Sequence, residues 1–293
     1  MRKVLVATCA FLLPLSARAQ TFPPEASWLP LRCGNAVMTD PYRDFPNAID
    51  ERDVVGQPSA AAGFHAADNQ FLYLRVRVDG DPMMGTTFRQ TVWGFEFDID
   101  TNPATYEILV SASGATGQVA VFHNSTTTIA DSPADPADTP PVAVYPFSTH
   151  LLVAIAGNST FGNNPDYFVE MAVPWSELQS LGLGPATPVR VWAGTSTADN
   201  ALDLDIACED GAGGPPTLSG TGSDRGPIGG TTGGTGGAGG TGGGVFGPVG
   251  ENGYEFEGGP SCSCNVGGSS DSPVLLSIAL LLLLLNRRPT RNP

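Results

Sequence analysis

The chain has 293 residues and is acidic, with 29 Asp and Glu against 14 Lys and Arg. Six of the basic residues (Arg2, Lys3, Arg18, Arg287, Arg288 and Arg291) lie near the two ends, so between Arg18 and Arg287 eight basic residues face all 29 acidic ones. Such a body repels phosphate backbones and anionic lipid, which excludes nucleic acid as a partner. Lys3 is the only lysine, so the rest of the chain holds no P-loop, Schiff-base lysine or Ser-x-x-Lys nucleophile.

Residues 1–19 read as a signal peptide. Arg2 and Lys3 precede the apolar stretch Val4 to Leu15, and Ala17-Arg18-Ala19 forms a small-residue cleavage site that predicts a mature start at Gln20. Residues 33–208 are the expected folded domain. Apolar, β-branched and aromatic runs at 71–80, 91–100, 105–113, 117–124, 150–157, 166–175, 189–197 and 202–208 alternate with Gly, Pro, Asn and Asp clusters. About eight strands at this spacing predict an all-β fold, an antiparallel β-sandwich of jelly-roll-like type. Leu72, Leu74, Val76 and Val78 oppose Tyr73, Arg75 and Arg77, while Trp93, Phe95 and Phe97 oppose Glu96 and Asp98. That period of two predicts one buried and one wet face on each sheet. PWSELQSLG predicts one short helical turn, capped at Ser176 and ended by Gly182.

Residues 211–261 are rich in Gly and Thr without an apolar period, which predicts a disordered linker. Residues 262–293 end the chain with Cys262-Ser263-Cys264, an apolar run from Val274 to Leu285 and an Arg cluster. As a helix those twelve apolar residues reach about 18 Å, short of the roughly 30 Å hydrocarbon core. The run suits a short C-terminal hydrophobic helix that crosses the membrane transiently, with the arginines held on the cytoplasmic side.

The two cysteines that bracket the domain, Cys33 and Cys208, predict a disulfide in an exported chain. The Cys-x-Cys pair, polar spacer, apolar run and terminal Arg cluster together resemble the MYXO-CTERM surface-sorting signal. That resemblance implies processing by a sorting protease near Cys262 and Cys264, a lipid on one of the two, and retention at the bacterial cell surface or outer membrane. The stretches NQFLYLRVRVDGDP, WGFEFDIDTNPATYE, DYFVEMAVPWSEL and VRVWAGTSTADNALDLDIA resemble the family-9 carbohydrate-binding-module-like and DOMON-like sandwiches over most of 40–206. The resemblance implies a sandwich fold and a glycan-binding or accessory role.

Candidate binding residues follow from exposed aromatic and polar pairs. Trp192 shares a strand face with Arg190, and Tyr73 shares one with Arg75 and Arg77. An exposed aromatic ring beside polar groups suits stacking on a sugar. The plainer reading packs Trp192 in the core and pairs Arg75 and Arg77 with Glu96 and Asp98 across strands; Trp93 and Trp175 read as core. Asp98, Asp100 and Asn102 have the one-three-five spacing of oxygen ligands, so calcium is the one cofactor the sequence suggests, with Asp79, Asp81 or Glu107 as helpers. Pro103 and Leu109 depart from the EF-hand pattern. Catalysis is not expected: His65, His123 and His150 are scattered, and no G-x-S-x-G or H-E-x-x-H occurs. The sequence therefore predicts a secreted, surface-anchored, non-catalytic module that binds polysaccharide or envelope components. The alternatives are a structural spacer without a small ligand and, more weakly, a glycan-processing enzyme.

Overall fold

The computed structural model describes residues 20–45, 49–208 and 217–230. The expected signal peptide, Cys262, Cys264 and the apolar run from Val274 lie outside the described residues. Sixteen strands occur among the described residues. The first seven are β1 (Leu29–Pro30), β2 (Arg32–Cys33), β3 (Ala36–Val37), β4 (Gly63–Ala67), β5 (Phe71–Val78), β6 (Met83–Met84) and β7 (Thr87–Phe88). Then come β8 (Val92–Asp98), β9 (Ile108–Ser113), β10 (Gln118–His123), β11 (Ala143–Pro146) and β12 (Leu151–Ile155). The last are β13 (Tyr167–Pro174), β14 (Pro188–Ser196), β15 (Asp205–Ile206) and β16 (Gly226–Pro227). The described residues are all-β in the main, and every strand pair among them is antiparallel.

Two sheets carry the fold. The first has the order β1-β4-β5-β13-β12, and the second has the order β11-β10-β9-β8-β14-β15 with β16 also on β14. Alternation places Leu72, Leu74, Val76 and Val78 of β5 in one apolar cluster with Trp93, Phe95 and Phe97 of β8. Val169, Met171 and Val173 of β13 and Val189, Val191 and Ala193 of β14 complete it, so both sheets turn one face to the same core. Each large side chain buried there contributes about 1.5–3 kcal/mol. Trp93 and Trp175 are buried, as expected.

The expected wet faces are dry at their centres, while Val144 of β11 and Leu152 of β12 stay exposed at the edges. On the first sheet, Trp28, Ala66, Tyr73 and Ala172 form a second cluster with Phe22, so the segment before β1 covers that face. On the second sheet, Leu109, Phe122, Trp192, Leu202 and Leu218 pack together, so the segments near 202 and 218 cover it. Leu218 lies in the stretch expected to be a disordered linker, yet residues 217–230 are an ordered strap against β14. The strap has only two buried aliphatic anchors, Leu218 and Ile228, too few to show as a periodic pattern.

The short helix Trp175–Ser180 follows β13 directly. Pro174, not Ser176, holds its capping position, because the fixed φ of proline sets the turn out of the strand. Gly182, at φ +96°, ends the turn as expected. Cys33 and Cys208 form a disulfide with Cα atoms 6.1 Å apart. Among the described residues no helix is long and apolar enough to cross a membrane.

Candidate functional site

Trp192 and Arg190 stand on the outer face of β14, cross-strand from Glu96 and Asp98 of β8. Of the two readings for Trp192, the structure bears out packing and not exposure: it is fully buried, and its indole N–H donates to Leu218 O at 3.2 Å, while Arg190 is half-buried. Arg190 donates to the carbonyls of Ser219 and Thr221 and lies 5.3 Å from the Trp192 ring. Gly222, at φ +91°, passes so close that a Cβ would sit 2.6 Å from the indole nitrogen. Strap backbone therefore occupies the surface where a sugar would stack.

Tyr73 and Arg75 are placed on the other sheet, and both are buried. Arg75 donates to Glu170 on β13 and to Glu25, each at 2.7 Å, and its guanidinium lies over the Trp28 and Phe168 rings. The pairing of Arg75 and Arg77 with Glu96 and Asp98 is corrected too, because β5 lies between β4 and β13 and never meets β8 edge to edge. Arg77 donates to Ala61 O and Asn158 Oδ1. Tyr73 donates to Asp68 Oδ2 at 2.8 Å. These residues fasten the cover of their sheet.

Asp98, Asp100 and Glu107 bring three carboxylate oxygens within 4.8 Å of one another. Asp79 and Asp81 are not in that group. Each member already has partners. Arg225 of the strap pairs with Asp98, whose Oδ1 also accepts Thr101 N–H. Asp100 accepts Asn102 N–H, and Glu107 accepts Ile99 N–H and the Thr105 hydroxyl. Asn102 turns to accept Ala104 N–H. The one-three-five spacing thus serves a chain of turn-capping bonds.

An open cavity of about 560 Å³ borders Asp98, Arg190, Arg225 and the Cys33–Cys208 bridge. Its polar groups bind one another: Arg225 also donates to Pro188 O, and Asp224 accepts Gly34 N–H. It is the seam between strap and body.

A different cleft has uncommitted groups. It measures about 590 Å³ and lies where β5 begins and β13 ends, a place where Phe71 and Pro174 are cross-strand partners. Its floor is the half-exposed Phe71 ring, Pro174, the edge of Trp175 and Pro185. Its rim carries Asn69, Gln70, Ser176 and Gln179, all exposed. No side chain of these four makes a hydrogen bond among the described residues. Asp68 holds the cleft in shape: its carboxylate accepts Gln70 and Phe71 N–H, each at 2.7 Å, and its carbonyl accepts the Trp175 indole at 3.0 Å. Among the described residues, no Arg, Lys or His lines the cleft. The sequence does not join the stretches NQF and PWSELQ, because they lie about 100 residues apart and meet only through β5–β13 pairing.

No protein-family model, curated protein or solved structure matches this chain.

Proposed function

We propose that this chain is a non-catalytic glycan-binding module, a jelly-roll-like β-sandwich displayed at the cell surface by its terminal sorting segments. The observation that carries the reading is the cleft between β5 and the helix Trp175–Ser180. Three free carboxamides and a hydroxyl stand over an aromatic and proline floor there. Each carboxamide offers one acceptor and two donor hydrogens, which matches neighbouring sugar hydroxyls. The Phe71 ring and the two prolines suit the apolar face of a pyranose. Export and surface retention rest on residues 1–19 and 262–293 as sequence, with Cys262 or Cys264 as the modified residue.

The test is binding of the purified chain to a panel of soluble polysaccharides by titration calorimetry. Saturable binding, weakened three- to tenfold by Asn69→Ala or Gln179→Ala, is the expected result. Both side chains are exposed, so neither change disturbs the fold. Binding that ignores both substitutions would move the site elsewhere. No binding to any glycan would favour the structural spacer, a reading that the covered centres of both outer faces support.

A further inference from the structure

The outermost strand of a sheet shows its backbone hydrogen-bonding groups to whatever comes near, and native sheets blunt such edges with short strands, proline or charge. The two large sheets have four edges, and three are blunted. β1 has two residues, one of them Pro30. β15 has two residues, one of them Asp205. β11 ends in Pro146 and follows Pro140 and Pro141. The fourth edge, β12, reads LLVAI and has five residues without proline or charge. It pairs with β13 on one side and with no other strand among the described residues.

Register decides which groups that edge shows. Ala156 N–H donates to Asp166 O at 2.8 Å, and the antiparallel ladder alternates from there, so Leu152 and Ala154 turn their backbone groups to β13. Leu151, Val153 and Ile155 point theirs away from the sheet. The Leu151 N–H bonds back to Phe147 O. The N–H and C=O groups of Val153 and Ile155 have no partner among the described residues. Side chains and charge agree with the backbone. Residues 139–165 contain no Asp, Glu, Lys or Arg, in a chain of formal net charge −15. Val142, Val144, Leu152 and Ile155 of this stretch are four of the eight large apolar side chains exposed among the described residues. Glu170, the acid opposite Leu152 on β13, is buried and paired with Arg75. Two copies of an acidic chain repel each other in general, and along this edge they meet without opposing like charges.

We propose that β12 is a dimerisation edge: two copies of this chain join antiparallel along it and continue the first sheet from one molecule into the next. A two-fold axis at Val153 satisfies the register. Val153 then exchanges N–H to C=O bonds with Val153 of the second copy, and each Ile155 N–H donates to Leu151 O across the seam. On one face Ile155, 65% exposed in the single chain, lies against Leu151 of the second copy, and on the other face Leu152 lies against Ala154. The two-fold uses up the edge in both copies, so the assembly closes at two and does not grow. A strand of five residues makes an interface below the standard size, so a dissociation constant of about 10–100 μM is expected.

The test is sedimentation velocity on the full chain from about 1 μM to about 1 mM, with amide exchange read residue by residue at both ends of that range. A dimer is expected at the upper end. The Val153 and Ile155 amides should gain about five- to fifteenfold protection there, as the monomer fraction falls, while the Leu152 and Ala154 amides are protected at both ends. Ile155→Lys places a charge on the edge at an exposed position and should leave the chain monomeric at about 1 mM. Met84→Lys, on the β6–β7 hairpin at a residue 68% exposed, should dimerise like the parent, which separates this edge from exposed apolar surface in general. A monomer at every concentration would overturn the proposal. So would association that survives Ile155→Lys, as association through the apolar run from Val274 would. Val153 and Ile155 amides already protected at the lowest concentration would overturn it too, because another segment of the same chain would then lie along the edge.

Discussion

Leu218→Ala tests whether residues 217–230 belong to the fold. Leu218 is 1% exposed and packs with Trp192, Leu202 and Ile206, while its carbonyl takes the Trp192 indole. Truncation to Ala leaves that hydrogen bond available and removes only the packing. Buried Leu→Ala changes cost about 2–5 kcal/mol, depending on how far the site collapses. A strap at the surface can settle inward, so the lower part of the range, about 2–3 kcal/mol, is expected. For a domain of this size that lowers the thermal midpoint by about 5–10 °C. Urea and thermal denaturation of the purified chain would measure it, with an unchanged urea slope showing that the same surface unfolds. A loss under about 0.5 kcal/mol would refute the reasoning: Trp192 would then be covered by something other than the strap, and 217–230 would return to the linker.

Arg75→Met should cost about 3–5 kcal/mol, because Glu170 would stay buried without its partner; adding Glu170→Leu should restore most of the loss, and equal stability of the single and double variants would sink the argument. Burial is also the main cause that raises the Asp53 carboxyl from 3.8 to about 7. The folded state thus holds this proton more tightly than the unfolded chain does, so the group's contribution is present below about pH 4 and is lost as pH rises through 7. Asp53→Asn should raise the thermal midpoint at pH 8 and leave it unchanged at pH 4; a gain of the same size at both values would point to a cause other than titration. Reducing the Cys33–Cys208 bridge, which joins residues 175 apart in sequence, should lower stability by at most about 5 kcal/mol. An unfolding curve that is the same with and without reductant would show that the first and last segments are held by packing alone.

The long strands were legible because their pattern is strict. FLYLRVRV and VWGFEFD alternate without a break, and both appear as strands within two residues of the expected bounds. What period two cannot report is what lies on the second face. Tyr73, Arg75, Glu96 and Trp192 all have the polar or amphipathic character of exposed residues, and all are buried. Their covers come from the irregular stretch before β1, the 198–204 loop and the 217–230 strap, which carry one or two apolar anchors each and leave no periodic trace. The Cys33–Cys208 pair needed no pattern, since two cysteines bracketing an exported domain have few other uses.

The burial of Trp192, Tyr73 and Arg75 and the openness of the cleft follow from where each set of residues stands relative to the strands. Aromatic and basic residues on strands attract attention in a sequence, yet on a strand they are readily covered by whatever packs on the sheet. Asn69, Gln70, Ser176 and Gln179 flank the strands instead, at a turn and on a short helix, where no further layer of the described residues lies over them. Their side chains stay uncommitted because the local backbone takes its hydrogen bonds from Asp68 and from Gln70 O. A rigid turn that satisfies itself and leaves its carboxamides free is better placed to meet a ligand than a buried tryptophan under a strap.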